Sequence, residues 1–169
     1  MDKEGYIKGK TGMKENKEIT EVLNDLIRIN VDRIAGYEKA VENIEDSDVI
    51  LRALFYQLSD ESQKLKEELS QAVIDAGGKP ADDSTISGKI YRVWMDVKDS
   101  FSGDDAKSTL EACEFGEDAA QKAYNSAIKE SKDFPSSIQS LIKNQKDLLK
   151  LSHDLIRNKR DEYHAAETH

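Results

Sequence analysis

The stretch "GGKPADDSTISGKIYRVWMDVKDSFSG", residues 77–103, decides the architecture. Its opening Gly-Gly, with Pro80 just beyond, is a helix-ending pair. The remainder is too long for a tight turn and too patterned for a bare loop. Ile86, Ile90, Trp94, Val97 and Phe101 recur at helical spacing behind Ser84 and Thr85, two cap candidates. The spacing predicts an extra helix of about 17 residues, roughly 25 Å long at the standard rise. Gly103-Asp104-Asp105 then breaks it. Such a connection carries the chain from one end of a helical bundle to the other.

The flanks of this connection read as two helical hairpins. Residues 17–44 carry Ile19, Leu23, Leu26, Ile34, Tyr37, Val41 and Ile44 at spacings of three and four. The polar EDSD turn (residues 45–48) supplies an N-cap for a second helix, 49–76, with Leu51, Leu54, Leu58, Leu65 and Leu69 on one stripe. A third helix spans 105–131. After the DFP turn (133–135), a fourth runs over 136–163 with Ile138, Leu141, Ile142, Leu148, Leu149, Leu155 and Ile156. Short turns make each pair antiparallel, and the long connection makes helix three parallel to helix two. The expected fold is an all-α, ferritin-like four-helix bundle: two antiparallel hairpins joined by a crossover, about residues 79–103, that contains the extra helix. Residues 1–16 are polar and non-periodic and read as a flexible N-terminal arm; residues 164–169 read as a frayed tail.

Composition agrees with one helical domain. The chain has 169 residues, 35% charged and 7% aromatic, with two prolines. A formal charge of −9 argues against nucleic acid as a partner and against anionic membrane surfaces. No apolar run approaches the roughly 20 residues of a spanning helix. No secretory signal is visible, so the cytoplasm is the default location. The single cysteine, Cys113, excludes an internal disulfide and reads as a small buried apolar residue.

The chain also resembles a bacterial family of ferritin-like four-helix-bundle proteins known mainly as a domain of unknown function. The stretches that carry the resemblance are "DRIAGYEKA" (32–40), "LRALFYQLSDES" (51–62), "YRVWMDVK" (91–98), "LEACEFGEDAAQKAY" (110–124) and "LSHDLIR" (151–157). The resemblance implies the fold and assigns no activity.

One chemical feature stands out. Glu61 falls on the apolar stripe of helix two and Glu117 on that of helix three, with Glu114 at its edge. Glu38 lies one turn after Ile34, and His153 flanks Leu149 and Ile156. Counted from the helix starts and turns, these five groups fit within about 9 Å of bundle length. Buried carboxylates require a positive charge beside them. Carboxylate-bridged di-iron bundles use two cations, held by one Glu from each of two helices and a Glu-x-x-His pair from each of the others. Here Lys64 stands where that histidine would follow Glu61, and Lys150 stands where a glutamate would precede His153. The complete di-iron pattern is absent. An ion-pair network with Lys64 and Lys150 as charge partners leads, ahead of a degenerate site for iron or another divalent metal. A working di-iron centre comes third.

Other candidates carry less. Tyr37 and Tyr124 read as core tyrosines with a hydroxyl to satisfy, and Trp94 as a pin for the crossover helix. Asn30, Gln145 and Ser152 fall on apolar stripes, where buried polar groups fix helix register. No serine or cysteine has the partners of a nucleophile. The reading is a non-catalytic, structural or stress-associated protein with no cofactor. It would be a homo-oligomer, with the N-terminal arm as one candidate for the assembling element. The alternative is an iron-binding protein or ferroxidase-like oxidoreductase using Glu38, Glu61, Glu114, Glu117 and His153.

Overall fold

A computed structural model describes residues 3–82 and 106–167 of the chain. They form four helices and no strand: α1 (Lys3–Asn43), α2 (Val49–Asp75), α3 (Ala106–Glu130) and α4 (Ser136–Glu167). The extra crossover helix and Trp94 lie outside the described residues.

Contacts between helices give their directions. Arg52 Nη1 donates to the Val41 carbonyl at 3.1 Å, near the α1–α2 turn, while Arg33 Nη1 reaches the Leu58 carbonyl at 3.2 Å farther along. Residue numbers rise on one helix as they fall on the other, so α1 and α2 are antiparallel. The pairs Arg33–Glu117 and Asn30–Tyr124 make α1 antiparallel to α3 in the same way. Helices α2 and α3 therefore run parallel, as the long connection requires. The fold is the ferritin-like four-helix bundle.

Helix ends obey local rules. Asp48 caps α2, its carboxylate accepting from the Leu51 amide at 3.2 Å, while its second oxygen accepts from the Tyr163 hydroxyl at 2.5 Å. One carboxylate thus ties the α1–α2 turn to the end of α4. At the other end of α2, Gly77 takes φ 83°, with Gly77 N–H on the Ile74 carbonyl and Gly78 N–H on that of Val73. This is a Schellman ending, which needs the left-handed residue. Gly78 lies so close to Thr20 that a Cβ there would stand 2.5 Å from its hydroxyl. The Asn24 amide then grips the outgoing chain with both ends, donating to the Lys79 carbonyl at 3.0 Å and accepting from the Ala81 amide at 2.8 Å. Gly77→Ala is expected to cost about 1–2 kcal/mol, the penalty of a Cβ in the left-handed region, read by urea denaturation.

Two expectations change. First, α1 begins at Lys3 and not near Lys17, so residues 3–16 are helical and continuous with it. Those residues lack an apolar stripe, but once a helix is nucleated each added residue costs little. Second, Leu148 and Leu155 are not core: they are 45% and 39% exposed. The inward stripe of α4 is Ile142, Gln145, Leu149, Ser152 and Ile156, all buried. The two leucines belong to a second stripe, turned outward. At the opposite end, α4 continues to Glu167, past the point where fraying was expected.

The core has two large apolar clusters, besides a small one of Ile29, Ala119, Ala120 and Ala123. One gathers Leu23, Leu26, Leu65, Leu69, Tyr124 and Leu149; the other gathers Tyr37, Leu51, Phe55, Leu58, Leu110, Cys113 and Ile156. Polar residues lie between them.

Candidate functional site

The spacing that places Leu26 and Tyr37 on the inner face of α1 also places Asn30 and Arg33 there. Arg33 is 1% exposed and Asn30 is fully buried. The facing side of α3 is built of small residues: Ala112, Gly116, Ala119 and Ala123 are all buried, and Ile29 of α1 packs against the last two and Ala120. This lets α1 and α3 approach closely enough for a guanidinium on one to bind a carboxylate on the other.

Arg33 is the centre of the arrangement. Its Nε donates to Glu117 Oε1 at 2.7 Å, and its Nη1 donates to Ser62 Oγ at 2.7 Å. The same Nη1 lies 3.2 Å from Glu61 Oε1. Tyr37 donates its hydroxyl to Glu117 Oε1 at 2.5 Å, and its ring lies under the guanidinium, 5.3 Å from centroid to Cζ. Glu61 also accepts from Ser152 Oγ at 2.7 Å, which brings α4 into the network. Burial alone would lower the Arg33 pKa, but Glu117, Tyr37 and Glu61 outweigh it and the pKa is raised. Burial, then Glu117, pushes the Tyr37 phenol well above its ordinary range and the Cys113 thiol up as well. Arg33 Nη2 and Glu117 Oε2 make no hydrogen bond among the described residues.

A second polar layer lies one to two helical turns away. Asn30 Nδ2 donates to the Tyr124 hydroxyl at 3.0 Å, Tyr124 donates to Gln145 Oε1 at 2.7 Å, and Gln145 Nε2 donates to the Leu65 carbonyl at 3.1 Å. The chain of bonds runs α1, α3, α4, α2, and so joins all four helices. Asn30, Gln145 and Ser152, the polar residues that the sequence places on apolar stripes, are all buried and bonded to other helices.

Of the five metal-ligand candidates, only Glu61 and Glu117 meet, and they meet on Arg33. Glu117 is 1% exposed at its side chain and Glu61 26%. Glu38 is exposed, one residue beyond Tyr37 and rotated off the inner face. Glu114 turns to Arg160 of α4. His153 faces Asp118, its Nε2 at 2.5 Å, and not Glu117. Neither lysine supplies the inner charge: Lys64 is exposed, and Lys150 is 66% exposed with its Nζ 3.7 Å from Asp154. A buried ammonium or guanidinium must come from a position on the inner stripe, and Arg33 occupies one. Its signal was the spacing Leu26, Asn30, Arg33, Tyr37, which is as regular as any leucine run in the chain.

The set does not fit a di-metal centre. The two acids that converge are already bridged by a permanent cation, and among the described residues no three His, Cys, Asp or Glu side chains converge on one point.

The His153 pair makes stability pH-dependent. Burial works to lower its pKa, but hydrogen bonds to Asp154 and Asp118 win and it is raised above the ordinary 6.5. A raised histidine pKa contributes stability below the unfolded value and loses it as pH climbs through the folded one. For so exposed a pair the step is small, about 0.2–1 kcal/mol. A larger loss sets in above about pH 9–10, where unfolded cysteine and tyrosine ionise. Cys113, Tyr37 and Tyr124 resist ionisation through burial, and burial together with Asp48 pushes Tyr163 up to about 12. Urea denaturation across this range checks both steps, and His153→Gln should flatten only the first.

Comparison with known proteins agrees with the fold. The sequence profile described as a domain of unknown function (DUF2383) matches residues 18–130. The chain belongs to that family. No curated protein matches the chain by sequence. Three solved structures share the fold of this DUF2383 chain. The bacterioferritin of Desulfovibrio desulfuricans, which has a di-iron site, is 16% identical at a TM-score of 0.75, covering 89% of this chain and 82% of its own. A dodecameric thioferritin of Bacteroides fragilis is 13% identical with TM-score 0.75 and 90% coverage of both chains. A Dps1 mutant of Mycobacterium smegmatis is 11% identical with TM-score 0.75, covering 87% of this chain and 97% of its own. At such identities the likeness is one of fold.

Proposed function

We propose that this DUF2383 protein is a non-catalytic helical bundle that acts through self-association, in a structural or stress-associated role. The single observation behind the reading is Arg33, whose Nε and Nη1 bind Glu117 and Glu61 in the interior where carboxylate-bridged bundles hold cations. A guanidinium is charged at every physiological pH and cannot accept an electron or bind oxygen, so it supplies the balance without the chemistry. Self-association draws support from the dodecameric Bacteroides fragilis thioferritin of the same fold. Among the described residues no helix is long and apolar enough to cross a membrane, and the acidic composition disfavours nucleic acid. A cytoplasmic location is part of the proposal.

The alternative reading, an iron protein or ferroxidase, draws support from the di-iron site of the Desulfovibrio desulfuricans bacterioferritin and from other di-iron-carboxylate proteins of the same fold. Anaerobic loading with ferrous iron, followed by desalting and elemental analysis, separates the two. Retention below about a tenth of an equivalent is expected, since two acids shared with an arginine make a poor site. Stoichiometric iron that disappears in Glu61→Ala would overturn the proposal.

A further inference from the structure

Helix α4 carries an apolar stripe that nothing among the described residues accounts for. Leu148, Leu151 and Leu155 recur at spacings of three and four and are 45%, 66% and 39% exposed. Three adjacent exposed leucines form a patch, unlike the scattered apolar residues of an ordinary surface. Beside them, on the side away from Ser152 and hence from α2, runs a line of charges alternating in sign: Lys143, Asp147, Lys150, Asp154, Arg157 and Asp161.

That line is complementary to itself when reversed. If a second α4 is laid antiparallel across the first about a two-fold axis near Ser152, Leu148 meets Leu155 and each Leu151 meets its own copy. The same operation sets Lys150 against Asp154, Asp147 against Arg157, and Lys143 against Asp161. A two-fold axis requires such reciprocity, because each contact must occur twice. In an antiparallel pair the same flank of each helix meets its copy, so these charges face one another over about 27 Å of helix. Three acids and three bases also make the face neutral within a chain of charge −9, which removes the repulsion that two acidic surfaces would meet. Within one helix Asp154 already lies 3.2 Å from His153, 3.5 Å from Arg157 and 3.7 Å from Lys150, and Asp161 2.9 Å from Arg160, but pairs of this kind account for no leucine stripe.

We infer that a second copy of this chain docks on this face, α4 antiparallel to α4, with the three leucines at the centre and the six charges at the rim. The inference rests on the self-association reading and names its surface.

Sedimentation of the full chain over about 1–100 µM tests it. The wild type should be dimeric, or a multiple of the dimer, and Leu151→Glu should dissociate this contact while leaving the far-ultraviolet circular dichroism unchanged. Lys150→Asp alone should weaken the dimer at least about tenfold, because it sets like charges together twice. Adding Asp154→Lys should restore it, since reversal of both members regenerates both pairs. A wild-type monomer would sink the self-association reading along with this one. An oligomer indifferent to Leu151→Glu and to the charge reversal would leave self-association standing and remove α4 as its surface. A loss of thermal stability on Leu151→Glu that does not depend on concentration would place residues 83–105 or another part of the same chain on the stripe, and also overturn the inference.

Discussion

Arg33→Met is expected to destabilise the bundle by about 3–5 kcal/mol, the effect of leaving one member of a buried ion pair uncompensated. The loss is not of side-chain volume, since methionine fills much the same space as the arginine stem. Glu117, 1% exposed, would keep only the Tyr37 hydroxyl among its described partners. Ser62 and the Leu58 carbonyl would lose their donor as well. The diagnostic comparison is the double variant Arg33→Met with Glu117→Leu, which removes both charges and should recover roughly half of the loss or more, because buried pairs are often no better than apolar replacements. Chemical denaturation of the two variants and of Glu117→Leu alone completes the cycle. If Arg33→Met is as stable as the wild type, the guanidinium does not hold the interior together, and the assignment of the central charge is wrong.

Tyr124→Phe should cost about 1–3 kcal/mol although it deletes a single oxygen. That oxygen accepts from Asn30 and donates to Gln145, both buried, so its removal strands one donor hydrogen and one acceptor in the core. Asn30 retains the Leu26 carbonyl and Gln145 the Leu65 carbonyl, which sets the upper limit of the effect. The packing of the ring is unchanged, so the denaturant slope should match the wild type while the midpoint falls. An equal midpoint would show that the four-helix relay contributes nothing. Because the relay touches every helix, the same variant should also lose hydrogen-exchange protection on α1, α2 and α4, and not on α3 alone.

Legibility in the sequence differs between the fold and the site. The turn at residues 45–48, the Gly-Gly ending and the DFP turn are chemical signals carried by a few adjacent residues, and the helices end within a residue or two of where those signals put them. The start of α1 was not legible, because residues 3–16 have no periodicity and their helicity is inherited from the helix they extend. The site was half legible. Glu61 and Glu117 stand on inner stripes, and both turn to one centre. Glu38 and Glu114 sit one residue or one edge away, and at about 100° of rotation per residue that is enough to send a side chain to solvent or to Arg160. Arg33 was missed because a long cation beside an apolar stripe normally reaches outward to water. Only the small residues of α3, brought opposite it by the fold, leave room for it to turn inward.

By itself the sequence determined the four helices of the bundle, their directions and the polar layers between the leucines, because periodicity, capping and loop length act locally along the chain. Which cation answers the buried acids, and which leucines stay outside, was decided only in the tertiary structure. Those outcomes depend on the rotation of each helix about its axis, and that angle is set by packing against the other three.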